Sequence, residues 1–418
     1  MTETQDYLGN TNVLTGIFTL FNKKSTEYLL EILVKKLYND FVKEEDQKLL
    51  NLIFAESPSQ QDLDNFLKVW DIEEKGGTAS LMLSYLMKAH PELKFRDYET
   101  PRLKGLINFH RFANIKTLSY FSKVGKALNT AGIVPVLFKG AAMKALRPEL
   151  SRVMNDVDIL VPYDEFKQAV AVIEKFGFSA YGRHLHSFDM CTPDLQGQID
   201  IHRFILMYDW NLKRGLKYTY SPEFNEKLFA RARKVNAFGV DVLLPSNEDL
   251  AFIILTNLVK NMTAKSTVTG ILFSLFDLQY LSQQENFDWQ ILTENSKLTN
   301  SELSIKIGAE FVEKIVRGLL PDKLRVNLPI EGHTKRECSR IVYNELYFLG
   351  FRDENRTLKL KNALRHPSLL LKYLAMKPKY VYMKSIRDNE FLVDLFLKRA
   401  LSGNFVAAHE QLEAKKCA

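Results

Sequence analysis

The stretch that decides the fold is Ile133–Val161, IVPVLFKGAAMKALRPELSRVMNDVDILV. Its first six residues form an apolar run rich in β-formers, which predicts a strand that ends at Phe138. Gly140 to Leu146 then has the spacing of a brief helix, which ends before Pro148. A second apolar run over 157–161 predicts another strand. The alternation of strand, helix and strand indicates an α/β unit in the middle of the chain.

The following residues extend this unit into a small core. Their patterns predict one helix and three strands, over 164–176, 178–181, 198–203 and 238–244. A long loop is expected over 182–197, and loops of this length often serve a functional site.

Apolar residues at helical spacing fill most of the remaining chain. The predicted helices lie at 26–37, 62–70, 80–89, 116–131, 247–261, 268–283, 301–318, 334–349 and 389–414. The predicted fold class is therefore α+β, with a small mixed β-sheet core flanked by N-terminal and C-terminal helical regions. We expect four parts: a helical region (1–130), the α/β core (131–245), a helical region that completes a cleft (246–350) and a basic helical region (351–418).

Composition narrows the class of protein. The chain has 418 residues, of which 46% are hydrophobic, and this is ample for a buried core. No apolar run is long enough for a membrane span, and the polar first residues lack the pattern of a signal peptide. Three scattered cysteines (Cys191, Cys338 and Cys417) favour neither a disulfide framework nor a zinc finger. These features predict a cytoplasmic protein.

The positive charge is concentrated near the C-terminus. Residues 351–400 hold twelve Lys or Arg against five Asp or Glu, a difference that equals the whole net charge of +7. Such a segment can attract nucleic acid, or it can be an ordinary solvated helix surface. Lysines and tyrosines alternate over 359–384, so phosphate contact and base stacking by this segment are both conceivable.

Three aspartates are the strongest chemical signal. Asp156 and Asp158 are two residues apart on a predicted strand, so their side chains point to the same face. Asp200 lies between two isoleucines on a later predicted strand. Clustered carboxylates repel one another unless a cation lies between them, and Mg²⁺ prefers carboxylate and phosphate oxygens. A lone Asp-x-Asp usually caps a turn or faces solvent, so the hypothesis of a metal site depends on all three residues together.

Lys139 and Gly140 lie where a strand turns into a helix. A helix N-terminus offers free N–H groups and partial positive charge, and glycine allows a phosphate to approach the backbone. We therefore predict nucleotide binding by Lys139 and Gly140; the simpler alternative is a surface lysine in an ordinary turn. Arg152 is expected either to clamp a phosphate or to pair with an acid. Arg147 is expected to face solvent at the end of the helix.

Histidines add further candidates. His202 lies two residues beyond Asp200 and can bind the acceptor, act as a base or hydrogen-bond an aspartate. His184 and His186, with Cys191, superficially suggest zinc, but no fourth ligand is evident and we disfavour such a site.

The chain resembles the uncharacterised nucleotidyltransferase family of the polymerase-β-like superfamily. Three stretches carry this resemblance by their residue types and their order: Leu137–Ala142, Arg152–Val161 and Ile199–His202. The resemblance covers roughly residues 100–285. It implies that Asp156, Asp158 and Asp200 are the catalytic, metal-binding acids. The chain departs from the wider pattern at Ala141, where serine is usual, and has Asn155 where Gly or Ser is frequent before the first acid. The resemblance also implies that Asp277 lies in a flanking helix, where a structural role is expected.

The resemblance implies a Mg²⁺-dependent enzyme with two ions, for which Mn²⁺ can substitute. It would move a nucleoside monophosphate from a nucleoside triphosphate such as ATP to an acceptor and release pyrophosphate. The acceptor stays open among a small molecule, a protein and RNA, and the chain indicates no oligomeric state. The alternatives are an RNA-directed transferase that uses the basic C-terminal region, and a non-catalytic nucleotide-binding protein with the same fold.

Overall fold

The computed structural model describes residues 41–320 with short gaps at 71–76, 150–151, 185, 195–196, 209–217, 220 and 264–267, and a few residues between 31 and 39. Eleven α-helices lie between residues 44 and 315: α1 (Glu44–Phe54), α2 (Gln60–Leu67), α3 (Gly77–Ala89), α4 (Glu99–Thr130), α5 (Lys139–Leu146), α6 (Phe166–Glu174), α7 (Pro222–Arg231), α8 (Asn247–Thr263), α9 (Val268–Ser282), α10 (Trp289–Leu298) and α11 (Glu302–Ile315). The strands are β1 (Val136–Leu137), β2 (Val157–Leu160), β3 (Ser179–Arg183), β4 (Ser187–Cys191), β5 (Gln198–His202), β6 (Met207–Tyr208), β7 (Tyr218–Thr219), β8 (Arg233–Ala237) and β9 (Val240–Leu244).

A mixed seven-stranded sheet forms the centre, in the order β3-β4-β5-β2-β1-β9-β8. Strands β2 and β5 are parallel, as are β1 and β9, whereas the other neighbouring strands are antiparallel. β6 and β7 form a separate antiparallel pair. Because β5 follows β2 after the β3–β4 hairpin, residues that are distant in sequence meet at the middle of the sheet.

The long helix α4 packs against this sheet. Phe121, Val124 and Leu128 are fully buried on one side of the helix. A Cβ atom at Gly125 would lie 2.6 Å from Cγ1 of Val240, so glycine permits the close approach of α4 to β9. The Asn129 amide donates to the carbonyl of Asp241 at 2.9 Å and joins the end of the helix to the same strand.

The α+β fold class is confirmed: in the described part of the chain, the sheet spans residues 136–244 and helical segments lie on either side of it in sequence. The loop expected over 182–197 is wrong, because β4 occupies its middle and pairs with both β3 and β5. Six further elements were not predicted individually, namely α1, α7, α10, β6, β7 and β8, and α4 begins well before residue 116. The helices predicted at 334–349 and 389–414, the basic region and most of 26–37 lie outside the described residues.

The division into four parts stays a prediction. Within the described residues, no helix has both the length and the apolar character needed to cross a membrane.

Candidate functional site

Two of the predicted acids meet on neighbouring strands. Asp158 of β2 lies directly opposite Asp200 of β5 in the parallel register. Their neighbours Val157, Ile159 and Ile201 are buried in the core. Because successive side chains of a strand alternate between faces, packing these apolar residues turns both aspartates to the other face. The alternation of apolar and acidic residues in each strand therefore creates the acidic site.

Lys139 completes a contact with this pair. It is the first residue of α5, and its φ of 50° places it in the left-handed region that non-glycine residues seldom adopt. Its Nζ lies 2.5 Å from Oδ1 of Asp158. The unusual backbone conformation thus belongs to Lys139 and not to Gly140. A Cβ at Gly140 would meet Cγ of Met154 at an ordinary 3.7 Å, so protein packing alone does not demand glycine there.

His202 joins both acids from within the core. Its Nε2 lies 2.8 Å from Oδ2 of Asp200 and 3.3 Å from Oδ1 of Asp158. The imidazole is 4% exposed, and its ring centroid lies 4.8 Å from that of Phe138. Oδ1 of Asp200 and Nδ1 of His202 are buried without a hydrogen-bond partner among the described residues. Buried polar atoms of this kind need an explanation, and a bound ion is one of the usual ones.

The charges of these groups are strongly coupled. Burial alone would raise the pKa of Asp158, but Lys139 and His202 outweigh burial and lower that pKa to about 2. For the His202 imidazole the signs are reversed. Burial alone would lower its pKa, whereas its hydrogen bonds to Asp158 and Asp200 raise it. Desolvation and the negative charge of Asp158 raise the pKa of Asp156 to about 6. Asp156 still exposes part of its surface, so solutes can reach it.

This donor set fits a divalent cation. Asp158, Asp200 and His202 each offer a ligand atom, and these atoms lie within 4.8 Å of one another. Carboxylate oxygens suit Mg²⁺ and Mn²⁺, while imidazole suits the softer divalent metals. The unpartnered carboxylate oxygen of Asp200 supports the fit. The cluster includes neither His184, His186 nor Cys191.

Arg152 is engaged elsewhere. Its guanidinium donates two hydrogen bonds to the Asp277 carboxylate, at 3.2 and 3.1 Å, and lies 5.0 Å from the ring centroid of Phe273. Both partners of this ion pair are buried. The geometry agrees with the expectation that Arg152 pairs with an acid, while the structural role of Asp277 stays a prediction. The nucleotide-binding role of Arg152 stays a prediction. Arg147, which we expected to face solvent, lies 4.7 Å from the ring centroid of Tyr280.

Two residues near the site were missed. Asp189 of β4 lies opposite Asp200, on the side away from β2. The signal was present, since Asp189 lies between Phe188 and Met190 in a strand-like alternation. Lys260, near the end of α8, lies within electrostatic reach of Lys139, Asp158 and Asp200. No local pattern distinguishes this lysine from other helical lysines.

A family model described as uncharacterised nucleotidyltransferase matches residues 69–317. No curated protein is significantly similar to the chain. Similar solved structures include the antibiotic-resistance factor ANT(2″)-Ia in solution, with 14% identity, 47% of this chain and 88% of that chain covered, and a TM-score of 0.29. They also include ANT(2″)-Ia in complex with adenylyl-2″-tobramycin, with 14% identity, 48% and 95% coverage, and a TM-score of 0.25. Scores this low carry no argument about the acceptor of this chain.

Proposed function

Because the chain belongs to the uncharacterised nucleotidyltransferase family, we propose that it transfers a nucleoside monophosphate from a nucleoside triphosphate to an acceptor and releases pyrophosphate. The observation that carries this proposal is the pairing of Asp158 with Asp200 on adjacent parallel strands, with Lys139 in contact with Asp158. This arrangement combines carboxylates for a divalent cation with a cation suited to phosphate.

Asp156, Asp158 and Asp200 hold Mg²⁺ in this proposal. When bound, the metal neutralises phosphate charge and favours the deprotonated form of the acceptor hydroxyl. Asp158 is ionised at every physiological pH, since its pKa is lowered to about 2. Nε2 of His202 is already engaged with Asp158 and Asp200. In this proposal His202 therefore orients the two carboxylates and does not ligate the metal. It is almost fully buried, so it does not touch the acceptor.

The start of α5 binds the phosphates. Its first backbone N–H groups are free of intrahelical partners, and the helix dipole favours negative charge there. Gly140 keeps this surface free of a side chain, and Lys139 offers its ammonium to a phosphate oxygen. The acceptor oxygen then bonds to the α-phosphorus as the bond to pyrophosphate breaks, and the acceptor proton passes to solvent. Positioning and electrostatic stabilisation carry most of the catalysis in reactions of this kind.

The direct test is a double substitution, Asp156→Asn with Asp158→Asn. The full-length protein is incubated with Mg²⁺, labelled nucleoside triphosphates and a mixture of amino sugars, RNA and proteins, and pyrophosphate release and labelled products are measured. We expect the double variant to lose at least about 100-fold in rate, because the proposed ligands in β2 and just before it both lose their charge.

Asp164→Asn is the matched control, since Asp164 is an exposed aspartate just beyond the end of β2. It should retain the wild-type rate. Activity that survives the double substitution would refute the metal-dependent mechanism. Tight binding of ATP without Mg²⁺ and without turnover would favour a nucleotide sensor instead.

A further inference from the structure

The β3–β4 hairpin extends the acidic site beyond the candidate metal ligands. Asp189 of β4 is paired with Asp200 of β5, which is paired with Asp158 of β2. Side chains that lie opposite one another on neighbouring strands share a face of the sheet. Three carboxylates therefore form one row across three strands, and Asp189 is its outer member.

The Asp189 carboxylate is held in place and is still accessible. Its Oδ2 lies 3.0 Å from Nε2 of His184, and the two side chains are 24% and 44% exposed, respectively. A Cβ atom at Gly182 would lie only 2.3 Å from the same oxygen. Because real Cβ contacts are never so short, this side-chain orientation depends on glycine at that position. A solute can therefore reach a carboxylate whose direction the hairpin has fixed.

Tyr181 provides an exposed ring in the same hairpin. It lies at the irregularity of β3 just before Gly182, the register partner of Asp189, and is 62% exposed. Partial burial and then the charges of Asp189 and Asp156 raise the pKa of its hydroxyl, so the hydroxyl lies within electrostatic reach of both acids. An exposed aromatic ring in the same hairpin as an accessible carboxylate suits a ligand with an apolar ring face and hydrogen-bond donors or a positive charge.

Positive side chains of this edge lie on the opposite face. The guanidinium carbons of Arg183 and Arg203 lie 5.3 and 5.4 Å from the ring centroid of Phe188. Phe188 precedes Asp189 in β4, so the two side chains point to opposite faces of the sheet. The front face thus presents carboxylates, while these two arginines are turned to the back. Lys139 contacts Asp158 at one end of the row, whereas Asp189 lies at the hairpin end. The hairpin end of the front face is therefore acidic, and it attracts a positively charged group.

We propose that Tyr181, His184 and Asp189 bind the acceptor, and that this acceptor is a small molecule with hydroxyl and amino groups. The inference rests on the proposed function, because it assigns the acceptor side of the same site. In this arrangement Lys139 and Lys260 serve the triphosphate, and the hairpin presents the acceptor hydroxyl beside Asp200. RNA is the other outcome of the test.

Tobramycin serves as the probe, because it carries several amino and hydroxyl groups on sugar rings. Its binding to the full-length protein is measured by calorimetry with Mg²⁺ and a non-hydrolysable ATP analogue present. We expect saturable binding that Asp189→Asn and Tyr181→Ala each weaken at least about tenfold. Arg183→Gln is the matched control, because it removes a charge from the back face of the same hairpin, and it should change the affinity less than about twofold.

The nucleotide affinity of every variant is measured in parallel and should stay within about threefold of wild type. A wild-type protein that binds the nucleotide but no tobramycin at millimolar concentration would overturn the acceptor class. Tobramycin binding that neither substitution weakens would overturn the assignment of the hairpin. Transfer RNA whose binding depends on Asp189 would show a polyanionic acceptor. A wild-type protein that does not bind the nucleotide would instead count against the proposed function.

Discussion

Two aspartates that are two residues apart, Asp156 just before β2 and Asp158 within it, have opposite electrostatic surroundings. Asp158 is buried between Lys139 and His202, and its pKa is lowered to about 2. The Asp156 carboxylate is partly desolvated and is repelled by Asp158, and these two effects raise its pKa to about 6. One carboxylate is therefore stabilised as an anion by the protein itself. The other needs an external cation to be equally stable when ionised.

This difference predicts how the stability of the metal-free protein depends on pH. The folded-state pKa of Asp156 exceeds its unfolded value, so the folded state binds more protons between about pH 4 and 6. Stability therefore falls as pH rises through this window and the loss persists above it. Asp156→Asn removes the loss and should stabilise the protein at pH 8 by about 1 kcal/mol once solvent screening of this exposed group is allowed for.

Thermal unfolding in EDTA at pH 4 and pH 8 measures this effect. The gain in Tm should reach about 1–2 °C at pH 8 and nearly vanish at pH 4. Asp164→Asn should give no such pH-dependent difference. A stabilisation by Asp156→Asn that is equal at both pH values would mean that ionisation of Asp156 is not its cause.

At the scale of elements, helix α9 fixes the segment between α5 and β2. Arg152 pairs with Asp277, and Arg147 lies 4.7 Å from the ring centroid of Tyr280. Asp277 and Tyr280 are three residues apart on α9, so they lie on the same side of the helix. The two arginines therefore attach the segment that follows the phosphate-binding turn to one helical surface.

The buried Arg152–Asp277 pair predicts strong coupling. Asp277→Leu leaves Arg152 buried without its counter-ion and should cost about 3–5 kcal/mol of unfolding free energy. Arg152→Met combined with Asp277→Leu should recover at least half of this loss, because neither charge is then left alone. A double-mutant cycle by urea unfolding measures the coupling.

The exposed Glu223–Lys227 pair provides the control, and Glu223→Gln should change stability by less than about 0.5 kcal/mol. If the changes in unfolding free energy from the substitutions at Arg152 and Asp277 simply add, the two side chains are not coupled, which would contradict a buried ion pair. A double variant that folds normally but no longer binds ATP would return Arg152 to the phosphate-binding role.

The sequence was informative where the chemistry is local. Alternation around Asp158 and Asp200 predicted both strands and the face of each acid, and the turn at Lys139 was found from its flanking pattern. By contrast, β4 was hidden because glycines at 182 and 197 and Pro193 resemble a loop. The partnership of Arg152 with Asp277 spans 125 residues and leaves no local trace.

At the scale of the whole molecule, the site draws on more than the sheet. Lys139 and the three aspartates lie in the core, whereas Lys260 lies on α8, in the helical segment that follows β9. Desolvation and the positive charge of Lys139 lower the pKa of Lys260, while Asp158 and Asp200 oppose this shift. Two lysines from different parts of the chain thus lie within electrostatic reach of the same carboxylates.

This convergence predicts that Lys260 contributes to triphosphate binding. Lys260→Met should weaken the binding of Mg²⁺-ATP roughly tenfold, because one phosphate contact by an ammonium is lost. Its thermal stability should stay close to that of the wild type, since Lys260 is exposed. Calorimetric titration of the full-length protein gives the dissociation constant. The control is Lys297→Met, because Lys297 is an exposed lysine in the last turn of α10. Unchanged nucleotide affinity in Lys260→Met would confine the phosphate site to the core and remove α8 from the cleft.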